Sequence, residues 1–233
     1  MSMGKRKKSA SMNDTCTKLS AGPFSLWLRN IREALSEKKG ISVPCGKCTA
    51  CCRSSFFIYI NGHETQTLNQ IPSKFLFPAP FHPPGYKVLG YNQEGCCPML
   101  VKNACSIYRN RPHACRYFDC RILHACGLET DEVMNGPVFQ QARRWEFSYP
   151  HPRDFTLQTA VRDAARFLRT HPKCVESHII PRDAIQLSVI AIKVFDVFLK
   201  SLRSENDGPR STQKISKSIC RSYEKFEKQR RIA

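Results

Sequence analysis

The chain of 233 residues is long enough to bury one sizeable core, so folding does not require crosslinks. Its 37 basic and 19 acidic residues give a formal net charge of +18, which favours anionic partners or a bound anionic centre. The longest apolar run, residues 184–199, is interrupted by Lys193 and Asp196 and falls short of the roughly 20 residues of a membrane-spanning helix. The N-terminal "KRKK" precedes polar residues instead of an apolar signal segment. We therefore expect a soluble protein of the reducing cytoplasm with no membrane span.

Residues 1–22 are polar and basic and are predicted to form a flexible tail. The segment that follows carries apolar side chains at helical spacing. These are Phe24, Leu28, Ile31 and Leu35. With Pro23 in the first turn and Gly40 past the end, the pattern predicts a helix over about residues 23–39.

Residues 41–130 hold ten of the thirteen cysteines and eight of the fifteen prolines. Proline at this density prevents regular backbone hydrogen bonding, so we expect an irregular, loop-rich module. A short strand is predicted over residues 54–60 from their aromatic and β-branched content.

Helical periodicity dominates after residue 130. One helix is predicted to begin with Asp154 as a possible N-cap and to end before Pro172, and a second is predicted from about Asp183 to Arg203. A further amphipathic segment lies in the basic C-terminal tail, residues 206–233. The predicted fold is mainly α with an irregular, loop-rich cysteine/metal module and one small β hairpin. The N-terminal helix and this module form residues 23–130, and residues 131–205 form a helical region packed on it.

The cysteines of the module arrive in two groups. The first is Cys45, Cys48, Cys51 and Cys52, and the second is Cys96, Cys97, Cys105, Cys115, Cys120 and Cys126. A C-x2-C step turns the chain so that both sulfurs face one ion, which favours metal ligation over disulfides or a nucleophile. A loop of 43 residues, 53–95, separates the groups, and metal binding can offset the entropy of closing it. We expect the module to be poorly ordered without metal.

Cys51 and Cys52 are adjacent, which is awkward around a single mononuclear ion. In a helix or in an extended strand their side chains point in different directions. A multinuclear centre and two neighbouring sites both accommodate the pair, and the sequence leaves these alternatives open. Interleaved arginines either compensate the thiolate charge or are ordinary surface residues. These are Arg53, Arg109, Arg111, Arg116 and Arg121.

The motifs "CGKCTACC" and "CPMLVKNACSIYRNRPHACR" resemble the bacterial YkgJ-type cysteine-cluster family, described as a zinc- or iron-chelating domain with a C-x2-C-x2-C-C signature. The resemblance covers roughly residues 41–125 and implies metal ligands at matching positions. They are Cys45, Cys48, Cys51, Cys52, Cys97, Cys105 and Cys115, with Cys120 added because "YFDC" fits some members. The chain departs from the family by having Cys96 beside Cys97, and the position before proline favours Cys97 as the ligand.

The implied cofactor is zinc or iron, including an iron–sulfur cluster, because both accept all-sulfur ligands. Two alternatives stay open. One is an iron–sulfur-dependent enzyme acting on a protein partner, since flagellin lysine N-methylases carry related cysteine clusters. The other is a zinc-stabilised adaptor that binds nucleic acid through its basic charge. The sequence does not decide whether the protein is an enzyme.

Other chemically notable residues are predicted to be structural. The isolated cysteines are Cys16, Cys174 and Cys220, and His178 lies four residues after Cys174. The same interpretation applies to His124 and Cys126. The basic and aromatic segment 143–150 is predicted to pack at a domain edge, with stacking on bases as its alternative.

Overall fold

The structure is a computed structural model, and it describes residues 17–37, 40–80, 82–128, 136–172, 176, 179–181, 183–203 and 211–232. Its strands are β1 (Leu19–Pro23), β2 (Ile58–Ile60), β3 (Leu76–Pro78), β4 (Lys87–Leu89), β5 (Leu100–Val101), β6 (Ala104–Cys105) and β7 (Trp145–Ser148). Its helices are α1 (Phe24–Glu37), α2 (Thr65–Leu68), α3 (His113–Tyr117), α4 (Arg121–Ala125), α5 (Pro137–Ala142), α6 (Pro152–Thr170), α7 (Ala184–Val194), α8 (Asp196–Arg203) and α9 (Thr212–Ile232). This confirms a mainly α fold with small β elements. In the described part of the chain, every helix is too short or too polar to cross a membrane.

Strand β1 pairs in parallel with β7, from Leu19 beside Trp145 to Pro23 beside Ser148. The register shifts between Ser20 and Gly22, where Gly22 has a φ of +81° that a glycine adopts without strain. Residues 19–22 therefore form a strand, although the sequence placed them in the flexible tail. Pro23 ends this strand and does not occupy the first turn of α1.

The helices enclose one main core, which receives side chains from α1, α4 to α9 and β7. Its largest fully buried members are Phe24, Ile31, Leu123, Val138, Trp145, Val161, Leu168, Ile179, Ile192 and Ile219. The predicted N-terminal helix is confirmed over Phe24–Glu37, and Lys38 and Lys39 lie outside the described residues. The amphipathic C-terminal segment is confirmed as α9, whose Ile219 is fully buried.

The two charges that interrupt the apolar run 184–199 both face α9. Lys193 is buried and its Nζ lies 2.6 Å from Glu227 Oε1. Asp196 Oδ1 accepts a hydrogen bond of 2.9 Å from the hydroxyl of Ser222. The single helix predicted here is two helices, α7 and α8, with the interruption at Phe195.

Asp154 joins the N-termini of two helices. It lies in the first turn of α6, three residues after His151, so the prediction that Asp154 is the N-cap was wrong. Its carboxylate accepts hydrogen bonds from the backbone N–H of His151 (3.0 Å) and from the backbone N–H of Ser25 in the first turn of α1 (2.7 Å). The first N–H groups of a helix have no intrahelical partner, so one carboxylate satisfies donors of both helices. Burial alone would raise the pKa of Asp154, but the hydrogen bonds from Ser25 and His151 outweigh it and hold this pKa below its usual range.

We expect Asp154→Asn to lower the free energy of unfolding at pH 7 by about 1.5–3 kcal/mol, because it weakens hydrogen bonds to a charged group. A carboxyl with a depressed folded-state pKa stabilises the fold above its ordinary pKa, and this contribution is lost as the pH falls through the folded-state value. The difference between the two proteins should therefore shrink in strongly acidic solution. Urea denaturation at pH 7 and at pH 3 measures it. Asp163→Asn on the same helix is the control and should cost about 0.5 kcal/mol or less, and equal losses in both variants would contradict the double-capping role.

The cysteine module has a small core of its own. Strands β2, β4 and β3 form an antiparallel sheet in that order, and β5 and β6 form a hairpin. The predicted strand over 54–60 is confirmed only for Ile58–Ile60. The buried residues of this second core are Ile60, Ile71, Leu89, Met99 and Ile107.

Candidate metal centre

The segment 45–53 is neither a regular helix nor an extended strand. Gly46, with a φ of +55°, makes a turn in which the backbone N–H of Cys48 donates to the carbonyl of Cys45 at 2.9 Å. A short 3₁₀ helix follows over Ala50–Arg53. Such a helix advances three residues per turn, so Cys51 and Cys52 project about 120° apart.

The chain just before this segment lies against α3 and the start of α4. The backbone N–H of Ile41 donates to the carbonyl of Arg116 at 3.0 Å, and the guanidinium of Arg121 donates to the carbonyl of Ser42 at 3.4 Å. Cys120 precedes α4 and is 6% exposed, and its sulfur accepts a hydrogen bond from the indole N–H of Trp145 at 3.2 Å. The start of the cysteine motif is therefore held beside Cys120.

The end of the segment lies against the chain around the β5–β6 hairpin. The backbone N–H of Cys97 donates to the carbonyl of Cys52 at 2.7 Å, and that of Ser55 donates to the carbonyl of Gly95 at 3.1 Å. Cys105 lies in β6, and both Cys97 and Cys105 pack on the second core. The structure thus brings cysteines from both sequence groups together.

Thiols at the hairpin end are close enough to oppose one another's ionisation. Burial, together with the charges of Cys51, Cys97 and Cys105, raises the pKa of Cys115 to about 12. Burial also raises the pKa of Cys97, with Cys105 and Cys51 adding to it. A bound cation reverses this effect because it stabilises each thiolate.

Cys51 and Cys52 act as a pair. The Cys52 thiol donates a hydrogen bond to the Cys51 sulfur, and this bond together with the positive charge of Arg111 lowers the pKa of Cys51 to about 7. The same hydrogen bond raises the pKa of Cys52, as does burial. Cys51 is therefore more easily ionised than Cys52.

Cys45, at the start of the motif, and Cys120 also have raised pKa values. Loss of hydration raises the pKa of Cys45 to about 11, with the charges of Cys48 and Cys51 adding to it. Burial raises the pKa of Cys120 to about 12, against the hydrogen bond from Trp145. A positive ion nearby would stabilise the thiolate form of both residues.

The eight candidate cysteines carry free thiols, and an all-sulfur donor set fits zinc and iron. Among the described residues, no three histidine, cysteine, aspartate or glutamate side chains already stand as a group that could hold a metal ion. The sulfur donors suit zinc or iron, and they lie in the same part of the module. Their side chains have to rotate before they can coordinate an ion.

The interleaved arginines do not all have the same role: some compensate the charge of the thiolates, and at least one holds a loop. The charges of Arg111 and Arg121 favour the thiolates of Cys51 and Cys45 respectively. Arg116 instead donates to the carbonyl groups of Arg111 (3.0 Å) and Arg109 (2.7 Å), which fixes the loop before α3.

Arg121 also forms a buried pair with Asp119, which the sequence did not indicate. Its Nη2 lies 2.8 Å from Asp119 Oδ2, and the indole N–H of Trp27 donates to the same oxygen at 2.9 Å. Arg121 lies beside the ring of Trp145 as well, 5.7 Å from its centroid. The backbone on either side of Cys120 is therefore held by charged side chains packed among aromatic rings.

Cys96 and Cys97 have different surroundings. The Cys96 sulfur lies 3.8 Å from the carbonyl oxygen of Glu94 and 3.9 Å from the guanidinium of Arg53. Cys97 instead packs on the second core beside Cys105. This geometry favours Cys97 as the ligand.

The residues predicted to be structural lie away from the thiols or inside the main core. Cys126 is buried and donates to the carbonyl of Ser188 at 3.9 Å, and the ring of His124 stacks on Phe147. Cys220 packs on the main core from α9. Trp145 and Phe147 of the 143–150 segment are buried, which confirms packing over stacking on bases. Cys16, Cys174 and His178 lie outside the described residues.

These features define a cysteine-rich metal-binding domain. Residues 44–137 match the model of the CxxCxxCC family, whose description is "Putative zinc- or iron-chelating domain". This match confirms the resemblance seen in the sequence and supports the prediction of a zinc- or iron-binding cysteine cluster. No curated protein and no solved structure matches the chain.

Proposed function

We propose that the domain holds zinc or an iron–sulfur centre through cysteine thiolates and that this metal orders the loop-rich module. The proposed ligands are Cys45, Cys48, Cys51, Cys52, Cys97, Cys105, Cys115 and Cys120. The observation that supports this most directly is the 2.7 Å hydrogen bond from the backbone N–H of Cys97 to the carbonyl of Cys52, which brings thiols of the two sequence groups into one region. Such a cluster is costly to ionise alone and favourable to ionise around a cation.

The chain's own residues prepare the site for binding. The hydrogen bond from Cys52 lowers the pKa of Cys51, and Arg111 and Arg121 offset part of the negative charge that a set of thiolates accumulates. A bound zinc with only sulfur ligands would be structural, whereas an iron–sulfur centre would transfer electrons. Free thiols at all eight positions fit the reducing cytoplasm.

The test compares two adjacent cysteines. Cys97→Ser should lose at least about half of the zinc or iron found in the wild-type protein, because one donor of a tetrahedral set is removed. Cys96→Ser is the matched control and should keep it. Elemental analysis of anaerobically purified protein gives the metal content, and visible absorption distinguishes iron–sulfur from zinc. Wild-type protein without stoichiometric metal, or equal content in the wild type and both variants, would refute the proposal.

A further inference from the structure

We propose that the cysteines form two separate metal sites, an inference that rests on the proposed function. The tryptophan-side site consists of Cys45, Cys48 and Cys120. The hairpin-side site consists of Cys52, Cys97, Cys105 and Cys115, and Cys51 links the two sites. The division runs through the motif itself, between Cys48 and Cys52.

The path of the chain makes this division. The residues before Cys45 are tied to the residue after Cys120, because the guanidinium of Arg121 donates to the carbonyl of Ser42 at 3.4 Å. The residues after Cys51 are tied to the chain before β5, because the backbone N–H of Cys97 donates to the carbonyl of Cys52 at 2.7 Å. One C-x2-C-x2-C-C segment therefore spans two regions and supplies sulfurs to each.

The two groups also rest on different cores. Cys120 belongs to the main core, together with Trp145. Cys97 and Cys105 pack on the second core with Met99 and Ile107. A metal bound at one group would thus brace a different part of the fold from a metal bound at the other.

The tryptophan-side site has three cysteines of its own and so leaves one tetrahedral position, which Cys51 or an exogenous ligand can fill.

The protein has two tryptophans, and both lie at the tryptophan-side site. The indole N–H of Trp145 donates to Cys120 at 3.2 Å, and that of Trp27 donates to Asp119, the residue before Cys120. A paramagnetic ion bound there should quench their fluorescence. An ion at the hairpin-side site should quench it less, because none of the thiols there is bonded to a tryptophan.

The experiment removes one thiol from each site in the full chain. Cys45→Ser changes an exposed thiol, Cys105→Ser changes a thiol in the hairpin, and Cys220→Ser on α9 is the control. We expect each of the first two variants to keep about half of the wild-type zinc or iron, since a tetrahedral site that loses one ligand leaves the other site intact. The control should keep all of it.

A second measurement assigns the sites. After refilling with Co²⁺ under reducing, anaerobic conditions, Cys105→Ser should retain the quenching of tryptophan fluorescence, and Cys45→Ser should lose most of it. Circular dichroism checks folding, and if Cys105→Ser fails to fold, Cys45→Ser decides alone because its thiol is exposed.

Three outcomes separate the hypotheses. If Cys45→Ser loses all of its metal while remaining folded, a single shared centre replaces the two sites. If Cys45→Ser keeps all of its metal, the tryptophan-side site does not exist. If the wild-type protein itself binds no zinc or iron, the proposed function fails and the division into sites fails with it.

Discussion

Replacing Arg121 with alanine should lower the free energy of unfolding by about 3–5 kcal/mol, because it leaves a buried carboxylate without its cationic partner. Asp119 is 2% exposed and Arg121 is 7% exposed. The Arg121 Nε donates to Asp119 Oδ1 at 2.9 Å and Nη2 donates to Oδ2 at 2.8 Å, so the contact is bidentate as well as buried. Urea denaturation followed by far-ultraviolet circular dichroism measures the loss.

The exposed ion pair between Asp163 and Arg166 provides the control. These residues lie three apart on α6, and the Arg166 side chain is 69% exposed, so water solvates its charge far better than that of Arg121. Arg166→Ala should therefore cost about 0.5 kcal/mol or less. Similar losses of unfolding free energy in Arg121→Ala and Arg166→Ala would show that burial does not increase the contribution of the Asp119–Arg121 pair to stability.

The position of this pair relates stability to the metal centre. Asp119 and Arg121 flank Cys120 in the chain, and Arg121 also reaches the carbonyl of Ser42 just before Cys45. Breaking the pair should disturb the tryptophan-side site first, since both sides of that site are tied to one guanidinium. Metal content of Arg121→Ala, measured under conditions where it remains folded, would reveal this dependence.

Cysteine spacing predicted the chemistry of the domain well because ligand geometry is a local property of the chain. A C-x2-C step sets where two sulfurs can point, and the second cysteine group supplied the remaining donors. The sequence also favoured Cys97 over Cys96, and the packing of Cys97 on the second core supports that preference. The ligand set itself stays a prediction until metal analysis tests it.

The division of the motif could not be predicted from spacing. Helical and extended geometries were considered for residues 45–52, but the chain forms a turn at Gly46 and a 3₁₀ helix from Ala50. Which thiol faces which region depends on contacts with distant residues, such as Cys52 with Cys97. Spacing within eight residues carries no information about those contacts.

Long-range pairing explains the other differences. The strand β1 has no alternating apolar pattern, and its partner β7 lies more than a hundred residues later. The break at Phe195 has no proline or glycine to signal it. The start of α6, in contrast, was readable from the sequence, because Pro152 suits the first helical position and places His151, not Asp154, at the N-cap.

Removing the metal with a chelator under reducing conditions should accelerate amide hydrogen exchange in β4 by about 100-fold or more while leaving α6 nearly unchanged. Binding of structural zinc contributes about 10–16 kcal/mol to the folding of small zinc domains, so losing even part of it exposes the module to local opening. The second core offers only five buried hydrophobic side chains to hold the sheet and the hairpin. Helix α6 lies in the main core, where Val161, Ala164 and Leu168 are fully buried. Their burial does not depend on the metal-binding cysteines.

Adding back zinc or iron should restore protection in β4, which separates metal loss from irreversible damage. The result also distinguishes the two sites, because Cys105→Ser should show fast exchange in β4 even with metal present, whereas Cys45→Ser should not. Uniform acceleration across β4 and α6 would mean that the metal stabilises the whole chain as one unit. Unchanged exchange in β4 would mean that the five buried apolar side chains of the second core are enough to keep the sheet folded. The cysteines there would then serve a purpose other than stabilising the module.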